Sequence, residues 1–198
     1  MEKRLAITTK PTVEPVDAAY VKLHARIDID DDDTWIGERI TAARTWVEKF
    51  TGKTFARTGY VLKCPAWKDD GEDFLLLPKG PALTLDTVAY RGASDGVLVQ
   101  YDTDEFEIET DETLTSRLRF KYGKTIPSVA NAWDAVQITY VAGAETGSED
   151  EIDERVRQCV AMVVAYWYEN RESTHMDVPE SIQSSARGLL WDLVATDC

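Results

Sequence analysis

The 198-residue chain carries 22 Lys+Arg against 36 Asp+Glu, a formal net charge of -14, which repels nucleic acid and anionic membranes at long range and argues against sequence-specific DNA binding. Its three cysteines, Cys64, Cys159 and Cys198, are odd in number and widely spaced with no CxxC, so neither a disulfide framework nor a zinc site is expected, and a reducing compartment fits best. A chain of this length buries roughly 70% of the surface that its unfolded form exposes, enough for one domain without such staples.

The N-terminal stretch has no apolar h-region, and no apolar run approaches the roughly 18 to 20 residues needed to span a bilayer, so a soluble chain without an export signal is expected. Residues 1–14 lack a periodic apolar pattern and read as an arm ordered only against something else. Ala18, Val21, Leu23, Ala25 and Ile27 permit a short helix over 17–27, with Asp17 as its cap. The acidic corner Asp28-Ile29-Asp30-Asp31-Asp32-Asp33 follows. A second helix is expected over 34–50, because Ile36, Ile40, Ala43, Val47 and Phe50 hold one face and Gly52 supplies a left-handed stop.

Over 54–141 the period changes. The runs 60–64, 74–77, 87–90, 97–101, 106–109, 118–121 and 135–140 are short, rich in β-branched and aromatic residues, and separated by Gly, Asp and Pro turn material. They predict an antiparallel β meander. An acidic loop, Glu145 to Asp150, then leads into the most strongly patterned stretch of the chain, 152–171. There Ile152, Val156, Cys159, Val160, Val163 and Trp167 recur at steps of three and four, which makes a helix; Ala161, Met162, Val164, Ala165 and Tyr166 widen its apolar face, so it is expected to be packed on two or more sides. Ser148 to Glu151 would cap it. Residues 172–178 read as irregular, and Pro179 opens a last helix on which Ile182, Ala186, Leu189, Leu190 and Leu193 share a face. Helices that bracket the strands, rather than alternate with them, indicate an α+β fold: an N-terminal helix pair and C-terminal helices packed with a central antiparallel meander. The expected division is an arm at 1–14, a main domain at 15–178 and a C-terminal helix and tail at 179–198.

Three motifs suggest chemistry, and each is better explained by structure. Gly92-Ala93-Ser94-Asp95-Gly96 matches GxSxG, but a nucleophile elbow needs a strand-to-helix turn, and strands are expected on both sides of Ser94; a hairpin loop fits better than a serine hydrolase. Asp28, Asp30 and Asp32 have the spacing of the first ligands of an EF-hand, yet Asp33 stands where Gly is required and Arg39 where a bidentate Glu is required, so a helix cap is favoured over a Ca²⁺ sensor or other monomeric acidic binding module. Gly52-Lys53-Thr54 and Gly123-Lys124-Thr125 lack the upstream glycine of a phosphate loop, His24 and His175 are too far apart to suggest a ligand pair, and Cys159 reads as a small core residue. No catalytic, cofactor or metal site is expected. The six tryptophans raise a different question. Trp35, Trp46, Trp167 and Trp191 fall on expected helices and Tyr166, Trp167 and Tyr168 are consecutive, so they cannot all face one core, and some are candidates to meet another chain.

The whole pattern resembles phage head-tail connector (head completion, or adaptor) proteins. The resemblance lies in Glu14-Pro15-Val16 with Lys22 to Asp28, then Ile36, Ile40, Ala42-Ala43-Arg44 and Val47-Glu48 through Thr51-Gly52-Lys53; in Leu75-Leu76-Leu77-Pro78 and Tyr140-Val141-Ala142-Gly143; and in Ile152, Val156, Ala161 and Ala165 to Glu172. It implies a structural protein with no active site, located in the virion after assembly in the host cytoplasm. Copies would form a ring matching a roughly twelvefold portal, closed by heterologous head-to-tail contacts, with portal and a tail, stopper or tail-terminator protein as partners and no membrane. DNA would pass through without sequence-specific binding. Asp30, Asp31, Asp32 and Asp33 are candidates to face that channel, and part of the negative charge would then keep DNA from adhering.

Overall fold

A computed structural model describes residues 2–145, 151–171 and 177–194. The expected capping residues Ser148 to Asp150, most of the irregular segment after Arg171 with His175, and Cys198 lie outside the described residues. The α+β architecture is as expected from the order of patterns, and among the described residues it comprises four α-helices and antiparallel sheets of five and three strands.

The helices are α1 (Ala18–Ala25), α2 (Asp33–Thr51), α3 (Glu154–Glu169) and α4 (Glu180–Leu189). Asp17 caps α1 as expected, its carboxylate accepting the Tyr20 N–H at 2.7 Å. Gly52 ends α2 at φ 74°, the left-handed geometry that favours glycine. The N-cap of α3 is Asp153, whose side chain accepts the Arg155 N–H at 2.8 Å. Helix α3 packs against α1, α2 and α4. That explains its wide apolar face: Val156, Cys159, Val160, Ala161, Val163, Val164 and Trp167 are all buried, in one cluster with Val21 of α1, Ile36, Ile40, Ala43 and Val47 of α2 and Ala186 of α4.

The strands are β1 (Arg4–Thr9), β2 (Thr58–Cys64), β3 (Leu75–Leu77), β4 (Ala82–Arg91), β5 (Leu98–Tyr101), β6 (Phe106–Thr110), β7 (Ser116–Phe120) and β8 (Val136–Ala142). All seven expected runs are strands. Their arrangement differs from a meander: the large sheet has the order β1-β2-β8-β4-β5 and the small one β3-β7-β6, so the last strand inserts between β2 and β4. As the central strand, β8 is hydrogen-bonded on both edges, and its inward face, Val136, Ile138, Tyr140 and Ala142, is buried in the sheet core. The segment 1–14 also differs from expectation. Its residues 4–9 pair antiparallel with β2, from Arg4↔Lys63 to Thr9↔Gly59, with a register shift between Ile7 and Thr9. The alternation was hidden because an edge strand is exposed on more than one side: only Lys3, Leu5 and Pro11 among residues 2–11 are partly buried.

The sheets enclose a second core, separate from the helical one, of Tyr60, Leu62, Leu75, Leu77, Val88, Phe106, Leu118, Ile138 and Tyr140 among others. Its aromatic part centres on Trp67, whose ring lies 5.1 Å from Phe120, 5.7 Å from Tyr90, 5.8 Å from Phe106 and 6.0 Å from Tyr101. Trp67 sits on a connection rather than in a strand, and its indole N–H donates to the Pro127 carbonyl at 2.9 Å, which ties the long β7–β8 connection to this cluster.

A buried polar joint links the two layers. The Glu48 carboxylate accepts from Arg44 at 2.7 Å and from the backbone N–H groups of Phe55 at 3.0 Å and Ala56 at 3.3 Å, where the chain leaves α2 for β2. Arg44 in turn donates to Glu14 at 2.7 Å, which fixes the connection between β1 and α1 to the same helix. Burial disfavours the charge on Arg44, but Glu48 and Glu14 outweigh it and hold the guanidinium above its ordinary value. Gly143, at φ 107°, completes the joint: a Cβ there would lie 2.6 Å from the Ala56 carbonyl oxygen. Glu48→Ala leaves the buried Arg44 with Glu14 alone and strands two backbone donors, and is expected to lower the unfolding free energy by about 3 kcal/mol, read as a fall in the urea midpoint at unchanged slope.

Candidate functional site

The acidic corner is less free than its composition suggests. Helices α1 and α2 meet there, and Lys22 of α1 reaches Asp30 and, at 3.0 Å, Asp33. Asp32 faces the other way, accepting from the Tyr168 hydroxyl at 2.8 Å and from the Arg171 guanidinium at 3.1 Å beyond the end of α3. Asp31 is exposed and, like Asp28, has no ion pair among the described residues. The hydrogen bond from Lys22 holds Asp30 below the usual carboxylate range. Asp32 is lowered in the same sense by Arg171 and then by Tyr168. These carboxylates are therefore turned toward different protein cations, which opposes convergence on a metal ion. Among the described residues, no group of three or more His, Cys, Asp or Glu is placed to hold one.

The candidate aromatic residues divide by position. Trp167 is only 6% exposed and lies in the helical core. A stripe at three- and four-residue steps identifies a helix face but not which of its members the neighbouring helices cover. Trp35 and Tyr168 are half-buried and meet edge to face at 5.8 Å, and Arg171 lies over both rings, at 4.7 Å and 4.2 Å. With Asp32 they form a clasp between the start of α2 and the end of α3. Trp46 stacks on Phe50 at 5.1 Å, and Tyr166 is half-buried against the same core. Trp191 stands apart. It lies in the turn after α4, not on a helix, and is 74% exposed. The same turn is held to α3 by Arg155, which bonds Asp192 at 2.8 Å as well as Asp153.

Sequence reasoning missed two exposed aromatics, Tyr122 at the turn after β7 and Trp133 just before β8. Both stand in loops, where no periodicity marks a side chain as inward or outward. It also missed the edges of the five-stranded sheet, because β1 was not recognised as a strand.

Ser94 lies in the loop between β4 and β5, which pair antiparallel from Val88↔Tyr101 to Arg91↔Leu98. The Gly96 N–H donates to the Gly92 carbonyl at 2.9 Å and Gly96 adopts φ 66°, so the two glycines serve the turn, and no helix follows Ser94 to form a nucleophile elbow. Lys53, in the first GKT sequence, is buried and donates to Thr115 at 2.8 Å, and burial lowers its pKa. Burial likewise pushes Cys64 and Cys159 up to about 11, which leaves both as unreactive thiols at neutral pH.

Because Asp32 is depressed, the stability it contributes is fully present above its unfolded value of about 3.9 and is lost as pH falls through its lower folded value. Asp32→Asn is expected to lower the thermal midpoint at pH 7, and by progressively less as pH falls through the folded value of Asp32, so that the two acid-unfolding curves converge. Parallel curves at all pH values would show that the clasp carries no charge-linked stability.

Comparison with known proteins bears on this arrangement. Residues 19–89, which run from α1 through most of β4, match the family described as phage gp6-like head-tail connector protein. No curated protein matches the chain. Among solved structures, a chain in the "Neck of empty GTA particle computed with C6 symmetry" has a TM-score of 0.76 at 18% identity, covering 98% of this chain and 97% of that one. A chain in the "Virion of native gene transfer agent (GTA) particle" has a TM-score of 0.76 at 21% identity, covering 98% and 96%. A third, in the "Neck of native GTA particle computed with C12 symmetry", has a TM-score of 0.71 at 19% identity, covering 98% and 97%. The helix pair with Arg44 and Glu48, strands β2 and β3 and most of β4 thus match the phage gp6-like head-tail connector family over residues 19–89, as the resemblance in sequence implied, and the fold of nearly the whole chain is like that of chains in gene transfer agent particles.

Proposed function

We propose that this protein is a structural connector of a virus-like particle: copies form a ring that joins the portal at the capsid vertex to the tail and surrounds the channel through which DNA passes. The observation that carries this reading is the coincidence of a head-tail connector match at residues 19–89 with a neck-like fold along 98% of the chain. The C6 and C12 symmetries of the particle necks support a ring in the virion. The reading needs no catalytic residue, and Ser94 in a β-hairpin gives a hydrolase no support. Its partners are other copies, the portal and a tail-side stopper or terminator, met in the host cytoplasm during assembly.

The charge balance suits a channel wall. A net charge of -14 repels the DNA backbone, and Asp28 and Asp31, which lack ion pairs among the described residues, are the members of the acidic corner best able to act on passing DNA. Trp191 is a contact for portal or tail, since a large aromatic surface 74% exposed at the end of the helical layer is typical of an interface anchor.

Light scattering of the purified chain, alone and with portal, tests the reading. A closed oligomer, or a monomer that joins portal in fixed ring stoichiometry, is expected; a monomer indifferent to portal overturns it. Trp191→Ala is expected to weaken this assembly while changing the unfolding free energy by less than about 0.5 kcal/mol.

A further inference from the structure

The five-stranded sheet has two open edges, and they are unlike. At one end lies β1, with Ile7 57% exposed; at the other lies β5, with Val99 42% exposed and no charged residue among Leu98, Val99, Gln100 and Tyr101. An uncharged, apolar edge strand is a template for pairing with another chain, and soluble proteins ordinarily protect it.

Three observations identify the strand that fits β5. The first is the face. Ile7 pairs with Tyr60 and Tyr60 with Tyr140, while Val99 pairs with Tyr90 and Tyr90 with Val136. Tyr140 and Val136 are four residues apart on β8, so Ile7 and Val99 lie on the same face of the sheet, the one packed on the second core. The second is direction. Four antiparallel pairings separate β1 from β5, so the two run parallel, and a copy set edge to edge with the same face inward brings them together in parallel. The third is charge. Arg4 and Lys10 bracket the centre of β1, and Asp95 and Asp102 bracket β5; all four are exposed, and neither Lys10 nor either aspartate has an ion pair among the described residues. With Ile7 beside Val99, Lys10 falls close to Asp102, the register shift between Ile7 and Thr9 shortening β1 by about one position, and Arg4 falls close to Asp95.

The same charges oppose the alternatives. Pairing β1 with β1, or β5 with β5, sets like charges against each other at both ends. Two unlike, complementary edges make a heterologous contact, the kind that closes rings rather than two-fold dimers.

We propose that β5 of one copy pairs in parallel with β1 of the next, so that the large sheets join edge to edge around the ring. This rests on the ring reading above and names the surface that closes it. Reversing one charge, Lys10→Glu or Asp102→Lys, is expected to weaken assembly on the portal by about tenfold, as a like-charge juxtaposition does. The double variant, which restores opposite charges at every contact, is expected to recover it. A second measurement uses other residues. In a Cys198→Ser background, where Cys64 and Cys159 remain buried, Ile7→Cys with Val99→Cys is expected to give an interchain ladder with a short bis-maleimide, and either substitution alone only dimers or monomers. Wild-type rings whose assembly is insensitive to single reversal, a double variant as weak as the singles, or rings without the ladder overturn the proposed contact and leave the connector reading intact. A wild-type chain that stays monomeric with portal overturns both.

Discussion

The Glu48 carboxylate is where the two halves of this molecule are held together. It sits on α2, at the seam between a helical core and a sheet core that share few side chains, and it binds the backbone of Phe55 and Ala56 as the chain crosses that seam. Arg44 balances its charge and passes the restraint on to Glu14. A charge-assisted network of this kind specifies geometry, because a small shift of either layer would leave buried donors unpaired, a cost of about 1–3 kcal/mol for each. The close approach of Gly143 to Ala56 has the same effect from the other side of the seam, where β8 ends.

A rigid seam would matter in the ring proposed above. If neighbouring copies meet through the sheets while Trp191 and the helices meet portal or tail, then force between those partners passes through α2 and its joint. The helical layer is itself clasped at both ends: Asp32 with Arg171 and Tyr168 at one, Arg155 with Asp153 and Asp192 at the other. These exposed ion pairs each contribute little to stability. They tie the start of α2 to the end of α3 and the start of α3 to the turn after α4.

The acidic composition acquires a more specific meaning from this arrangement. Much of the negative charge in the α1–α2 corner is spent on Lys22 and Arg171, within the protomer. What remains is spread over exposed sites, including the two aspartates that flank β5. In the proposed ring, net charge would keep DNA at a distance, whereas its distribution would discriminate between the ways in which copies can meet.

The helices were legible in the sequence because their signal is local: three- and four-residue steps, Asp17 before α1 and Gly52 after α2. The seven strands between residues 58 and 142 were legible for the same reason, through two-residue alternation between turn residues. The α+β class followed from their order, and the connector resemblance from motifs in that order. Strand β1 was not legible, since an edge strand exposes both faces and loses the alternation. The insertion of β8 between β2 and β4 was decided by backbone pairing on both of its edges, between residues about eighty positions apart on one side and about fifty on the other, which no local pattern reports. The fate of Trp167, the cations that meet Asp30, Asp32 and Asp33, and the pairing of Glu48 with a backbone it does not adjoin were decided the same way. Periodicity reports which side of an element is apolar; only the docking of elements determines what that side, and each charge beside it, finally touches.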